Sequence, residues 1–250
     1  MSGMANSMNV HRQVKSELRF LVFSAIALAV GYFVFVYPHT NDFDISDKEC
    51  DALARYWKSG AEREFQLGDG WKGINALTCP SNEASLLKSI RFIERLELDI
   101  AGKEAATTYY QWAVGLKPLF AQSPLFGLAG RTRFDERIID LSPILLEKAN
   151  WVQIAGVIVH ELRHLEQGIN THVPCRAETG LTCDRRLDLN PQTGDAYSYN
   201  MLFLHQVRLS STATRYEKTL AKREMQRIFD VRFNQVDPDL HKTLKLKPKN

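Results

Sequence analysis

The chain has 250 residues, 44% of them hydrophobic and 24% charged, an ordinary globular balance with room for one large core or two small ones. Its formal net charge of +3 is too small to suggest a nucleic-acid partner, and no nucleic-acid-binding motif, internal repeat or low-complexity tract occurs. One segment departs from this average. From Phe20 to Tyr37 the chain reads FLVFSAIALAVGYFVFVY without a single charge. As a helix this run is about 27 Å long, close to the roughly 30 Å hydrocarbon core of a bilayer. Arg12, Lys15 and Arg19 precede it and Asp42, Asp44 and Asp47 follow it. That charge bias predicts a cytoplasmic N-terminus (1–19), a single-pass anchor (20–37), a polar linker (38–48) and an exported domain (49–240).

A cleavable signal peptide and a buried core helix are the competing readings. The small residues Ala27-Leu28-Ala29 favour the first, but the apolar run continues past them; the charge-free length argues against the second. All four cysteines, Cys50, Cys79, Cys175 and Cys183, fall in the exported part. An even count there suggests two disulfides, and loop entropy favours the local pairing 50–79 and 175–183 among three connectivities. Four reduced, buried thiols are the alternative. No N-x-[ST] acceptor occurs, which fits a bacterial periplasm, with the anchor in the inner membrane.

Along the exported part, KECDALARYWKSGAEREF has helical spacing, and LGDGWKGINALTCPSN reads as a loop. Ser81 or Asn82, followed by Glu83, caps a helix whose Leu86, Ile90, Ile93 and Leu96 form an apolar stripe. ATTYYQWAVGLKPLFAQ is helical up to Pro118, with Tyr109, Tyr110 and Trp112 as core residues. Ile138-Ile139-Asp140-Leu141 is a β-rich run, with a partner strand near Arg131–Phe134, and Ser142-Pro143 opens a helical turn. A helix follows from Asn150 to Gln167, ended by Gly168. INTHVPCRAETGLTCDRRLDLNPQTG is a long loop that Cys175 and Cys183 could clip. Two helices come after Asp195, and the basic tail 241–250 reads as a solvated terminus. The fold class is therefore α+β, mostly helical with a small sheet.

The chemistry concentrates in VIVHELRHLEQGINTHVPC. His160 and His164 lie one helical turn apart on one face, where two imidazoles can reach one cation at about 2.0–2.1 Å. Glu161 is rotated about 100° from His160, so its carboxylate can stand beside a metal without binding it and take a proton from a polarised water. The helix before the motif, WVQIAGVIV, is apolar enough to be buried, so two histidines at its end need partners.

At these residues the sequence resembles the zincin metallopeptidases, over about a quarter of the chain. The resemblance implies one Zn²⁺, Glu161 as catalytic base, and an edge strand that binds an extended peptide, here at Ile138, Ile139, Asp140 and Leu141. Metzincins place a third histidine after H-E-x-x-H-x-x-G-x-x-H; here Gly168 comes one residue later, and His172 two residues later, than that pattern. His172 is the expected third ligand. Asp195 is the alternative, in the manner of the gluzincin carboxylate, with Glu178 and Asp184 as weaker ones; a separate structural zinc on His172, Cys175 and Cys183 lacks a fourth ligand. Tyr197 and Tyr199 are candidates to stabilise the oxyanion; Arg163 reads as an ion-pair residue and His205 as a core residue. The implied function is an anchored, exported-side metallopeptidase acting on a peptide or protein of the cell envelope. A non-catalytic scaffold with a structural metal, and hydrolysis of a non-peptide amide, remain as alternatives.

Overall fold

The computed structural model describes residues 45–61, 64–71, 77–100, 107–125, 127–170, 172–175, 182–237 and 239–248. The predicted anchor and linker up to residue 44, and Glu178, lie outside the described residues. Among those described, no helix is long and apolar enough to cross a membrane.

The first element among the described residues is α1 (Asp47–Tyr56), capped by Ser46 and running into a π-helical turn at Trp57–Ala61. Helix α2 (Asn82–Leu96) takes Ser81 as its N-cap, and its predicted stripe of Leu86, Ile90, Ile93 and Leu96 is buried. Helix α3 (Tyr109–Leu116) starts with a Thr108–Gln111 capping box and ends before Pro118. The residues after that proline, to which the sequence assigns no element, form a strand, Leu119–Gln122.

The four-stranded sheet has the order β1-β2-β4-β3, with β1 Gln66–Leu67, β2 Leu119–Gln122, β3 Gly130–Arg133 and β4 Ile138–Leu141. Strands β1, β2 and β4 run parallel, and β3 returns antiparallel to β4. This corrects the expectation for Ile138–Leu141. Strand β4 is paired on both sides, so its backbone groups are consumed and it cannot accept a further strand. Among the described residues the two ends of the sheet are β1 and β3.

After the short α4 (Pro143–Lys148) comes α5 (Trp151–Gln167), the axis of the fold. Asn150 accepts the Val152 and Gln153 amides while Gln153 returns a bond to Asn150, closing a capping box. Gly168 ends the helix with φ 68°, a conformation that costs glycine little. Helices α2, α3, α6 (Ala196–Leu209) and α7 (Arg215–Val231) surround α5, while β3 and β4 cover its remaining side. That enclosure explains why its sequence is apolar almost all round and why even His160, Glu161, Arg163 and His164 are buried.

A second sheet joins β5 (Val173–Pro174), β6 (Thr182–Arg186) and β7 (Phe233–Gln235), with β5 antiparallel and β7 parallel to β6. Both disulfides have the local pairing, Cys50–Cys79 and Cys175–Cys183. The second leaves no thiols for a separate zinc site there. The predicted solvated tail is corrected in part. After α8 (Leu240–Thr243), Leu244 and Leu246 are buried, and the Leu244 carbonyl accepts a bond from Arg208. Alternation of lysine with leucine lets two apolar side chains dock while the charges stay in water.

Candidate metal centre

Helix α5 carries His160 and His164 on one face, four residues apart. The left-handed Gly168 turns the chain back, and the Asn170 side chain accepts the His172 amide. These two features bring His172 over the helix it has just left. Its Nε2 lies 3.0 Å from His160 Nε2 and 2.9 Å from His164 Nε2. The donor atoms of the three rings all fall within 4.8 Å of one another, and no other such group of ligand atoms occurs among the described residues.

The outer nitrogens decide what the inner ones can do. His164 Nδ1 is 3.2 Å from the Ile169 carbonyl, and His172 Nδ1 is 3.0 Å from Asp184 Oδ1. Both partners only accept, so each Nδ1 carries the proton, and each Nε2 in the neutral ring presents a lone pair. Lone pairs facing one another at 2.9 Å repel, and a cation between them removes the conflict. A tetrahedral zinc with bonds of about 2.0–2.1 Å needs nitrogens about 3.3 Å apart, a few tenths of an ångström wider than observed. Burial, and then the other histidines, hold His160 well below its ordinary pKa, with Arg232 adding to the effect and the Ala196 backbone opposing it. Burial, then His172, push His164 down to about 3. Both rings are therefore neutral at pH 7, the form that binds metal.

Asp184 supports this arrangement from β6. Its Oδ1 accepts from His172 and its Oδ2 accepts from the Ser198 amide in the first turn of α6. Burial pushes the Asp184 carboxyl up, against the lowering by His172 and by the Ser198 amide. The Cys175–Cys183 disulfide clips the strands that carry this pair, since Val173 is in register with Cys183. Asp184→Asn should lower metal affinity about 10- to 100-fold, the usual effect of losing a partner that orients a ligand. Competition with a chromophoric chelator measures this directly.

Glu161 turns toward the sheet. Thr132 Oγ1 is 2.9 Å from Glu161 Oε2 and 2.9 Å from its carbonyl oxygen. A Cβ built on Gly130 would lie 2.8 Å from Glu161 Oε1 and 2.9 Å from its Cγ, so the carboxylate packs directly on the strand backbone. Burial pushes the Glu161 carboxyl up to about 7; the Thr132 bond opposes this and the Asp140 charge adds to it. Thr132, Gly130 and the supporting role of Asp184 escaped the sequence reading. A glycine and a threonine two residues apart on one face of a four-residue strand carry no distinctive periodic signal.

The other candidates separate cleanly. The Tyr197 ring lies 4.3 Å from that of His160 and stacks 4.7 Å from that of His172. Tyr199 does not reach the site. Two helical residues rotate it about 200° from Tyr197, into the core against Trp112 and Tyr109, with Arg163 over its ring. Asp195, the alternative ligand, N-caps α6 and is outside the histidine group, as is His205. Arg163 pairs with Glu166 at 2.5 Å and holds the Gly194 and Gln192 carbonyls at 3.0 and 3.1 Å, fixing the loop that leads into α6. Asp140 lies under β3, bonded to Arg131 and Arg133. Three histidines positioned to hold a metal ion, with a buried carboxylate beside them, are what the chain brings together; no protein-family model, curated protein or solved structure matches it.

Proposed function

We propose that the protein is a zinc-dependent peptidase of the zincin type, anchored in a membrane through residues 20–37 with its domain on the exported side. One observation carries this reading: three imidazoles converge on a common point, and Glu161, next to the first of them in sequence, is held against a strand at the end of a sheet. The two disulfides support an oxidising compartment.

His160, His164 and His172 would hold the ion. When bound, zinc supplies a water of lowered pKa and polarises the carbonyl to be attacked. The rest falls to the chain. Glu161 takes a proton from the attacking water and passes it to the leaving amine, while Thr132 keeps its Oε2 in place. Tyr197, beside His160 and His172, is the remaining candidate to donate to the developing oxyanion.

Strand β3 would hold the substrate. The Ser142 amide bonds to the Ala129 carbonyl, so residues 129, 131 and 133 turn their backbone groups toward β4. Gly130 and Thr132 then turn theirs to the other edge, where an extended peptide can pair. The same two residues touch Glu161, so a peptide on this edge lies beside the base.

Metal analysis of the purified protein tests the reading at once. About one zinc per chain is expected, with hydrolysis that depends on it; a protein that binds none sinks the proposal. Gly130→Ala tests the geometry more finely. The new methyl would force the Glu161 carboxylate off its position, and misplacement by about 1 Å lowers turnover on the order of 100-fold with zinc content unchanged.

A further inference from the structure

We infer that Arg131 selects substrates with an acidic side chain next to the residue that faces the metal centre. The inference rests on the peptidase reading above and adds the substrate class. The two faces of β3 differ in chemistry. Gly130 and Thr132 face α5 and Glu161, whereas Arg131 and Arg133 lie on the opposite face with Asp140 between them.

Asp140 is 2% exposed and serves both arginines. Its Oδ2 accepts from Arg131 Nη2 at 2.9 Å, from Arg131 Nε at 3.3 Å and from Arg133 Nε at 3.1 Å. Its Oδ1 accepts from Arg133 Nη2 at 3.3 Å, and Glu136 takes Arg133 Nη1 at 2.6 Å. Each of the three Arg133 nitrogens thus has an acceptor. Arg131 differs: its fork is locked on one side by Asp140, no acceptor among the described residues meets its Nη1, and its side chain is 51% exposed. Asp140 and Glu136 together balance the two guanidinium charges, and what stays open at the end of the sheet is the exposed Nη1 edge of Arg131.

A peptide pairing antiparallel to β3 bonds to Gly130 and Thr132. The residue between those bonds then sits opposite Arg131 in a non-hydrogen-bonded pair, with Cα atoms about 4.5 Å apart and side chains at their closest. Its side chain points to the arginine face; its two neighbours point to Glu161 and the histidines. A carboxylate there meets a guanidinium whose conformation is already fixed, so little entropy is lost on pairing. A lysine there meets like charge. Solvent screening at a half-exposed site keeps the gain to about 1.5- to 5-fold over a neutral residue.

The test uses the full-length, zinc-loaded protein and a degenerate decapeptide mixture, with the cleaved bonds read by mass spectrometry. Asp and Glu should be enriched about 1.5- to 5-fold over Asn and Gln at one position close to the cleaved bond. Arg131→Glu should transfer that enrichment to Lys and Arg. Should Arg131→Glu misfold beside Asp140, Arg131→Gln serves instead, bringing the ratio of acidic to amide residues to about 1. Identical profiles in wild type and variant overturn the inference while leaving the peptidase reading intact. Failure of the zinc-bound wild type to cut any peptide overturns both.

Discussion

Glu161→Gln is expected to keep zinc bound and to lower peptide hydrolysis by about 10²- to 10⁴-fold, the range for loss of a positioned general base. The substitution is nearly isosteric. The glutamine carbonyl can still accept from Thr132, which bonds to Glu161 Oε2 at 2.9 Å, so the packing of α5 on β3 should survive. Only the ability to take and return a proton is lost. Burial pushes the Glu161 carboxyl up to about 7 in the metal-free chain. A raised value means that the protonated, inactive form accumulates below about pH 7, and kcat/KM should rise with pH through that limb. A bound dication favours the carboxylate and moves the limb lower, so about 7 is its upper bound. The checks are zinc content, a thermal melt and a pH–rate profile on wild type and variant together. Wild-type rates in a zinc-bound Glu161→Gln protein would remove the mechanism.

How legible this was in the sequence depended on the range of the interactions concerned. Helix α5 was readable almost to the residue because its ends are set locally, by the Asn150–Gln153 box and by Gly168. The path to His172 was readable for the same reason: a glycine turn followed by a histidine is a local device, and two extra residues do not spoil it. The disulfides followed loop length. What failed was non-local. The order β1-β2-β4-β3 places the later strand of a hairpin inside and the earlier one at the end, and nothing in IIDL or GRTR encodes which is which. Leu119–Gln122, just past the proline that ends a helix, gets no element from the sequence because so short a run has no readable period, and only pairing with β1 and β4 makes it a strand. Tyr197 and Tyr199 looked alike because both open one helix; its rotation, visible only once the packing of α6 is known, separates a site residue from a core residue. Asp184 looked like a spare ligand, and its role emerged only when β6 brought it between His172 and the start of α6.

His172→Ala should lower zinc affinity on the order of 10³-fold or more, well beyond the 10- to 100-fold that follows loss of a supporting hydrogen bond such as that from Asp184. His160 and His164 would then face the ion as two ligands on one helix, short of the three that a catalytic zinc uses. The fold should tolerate the change. His172 is held through its amide by Asn170 and through its ring by Asp184, and the strands that follow it are clipped by the Cys175–Cys183 disulfide. Asp195→Asn supplies the contrast. That carboxylate makes no capping bond and lies outside the histidine group, so its loss should leave affinity within about twofold. Titrating wild type and both variants against a chromophoric chelator, with far-UV circular dichroism as the folding check, separates the two ligand sets. Tight binding by His172→Ala together with weak binding by Asp195→Asn would reverse the assignment and place the carboxylate in the metal shell. The expected result makes the three imidazoles the protein ligands, the number that a catalytic zinc site uses.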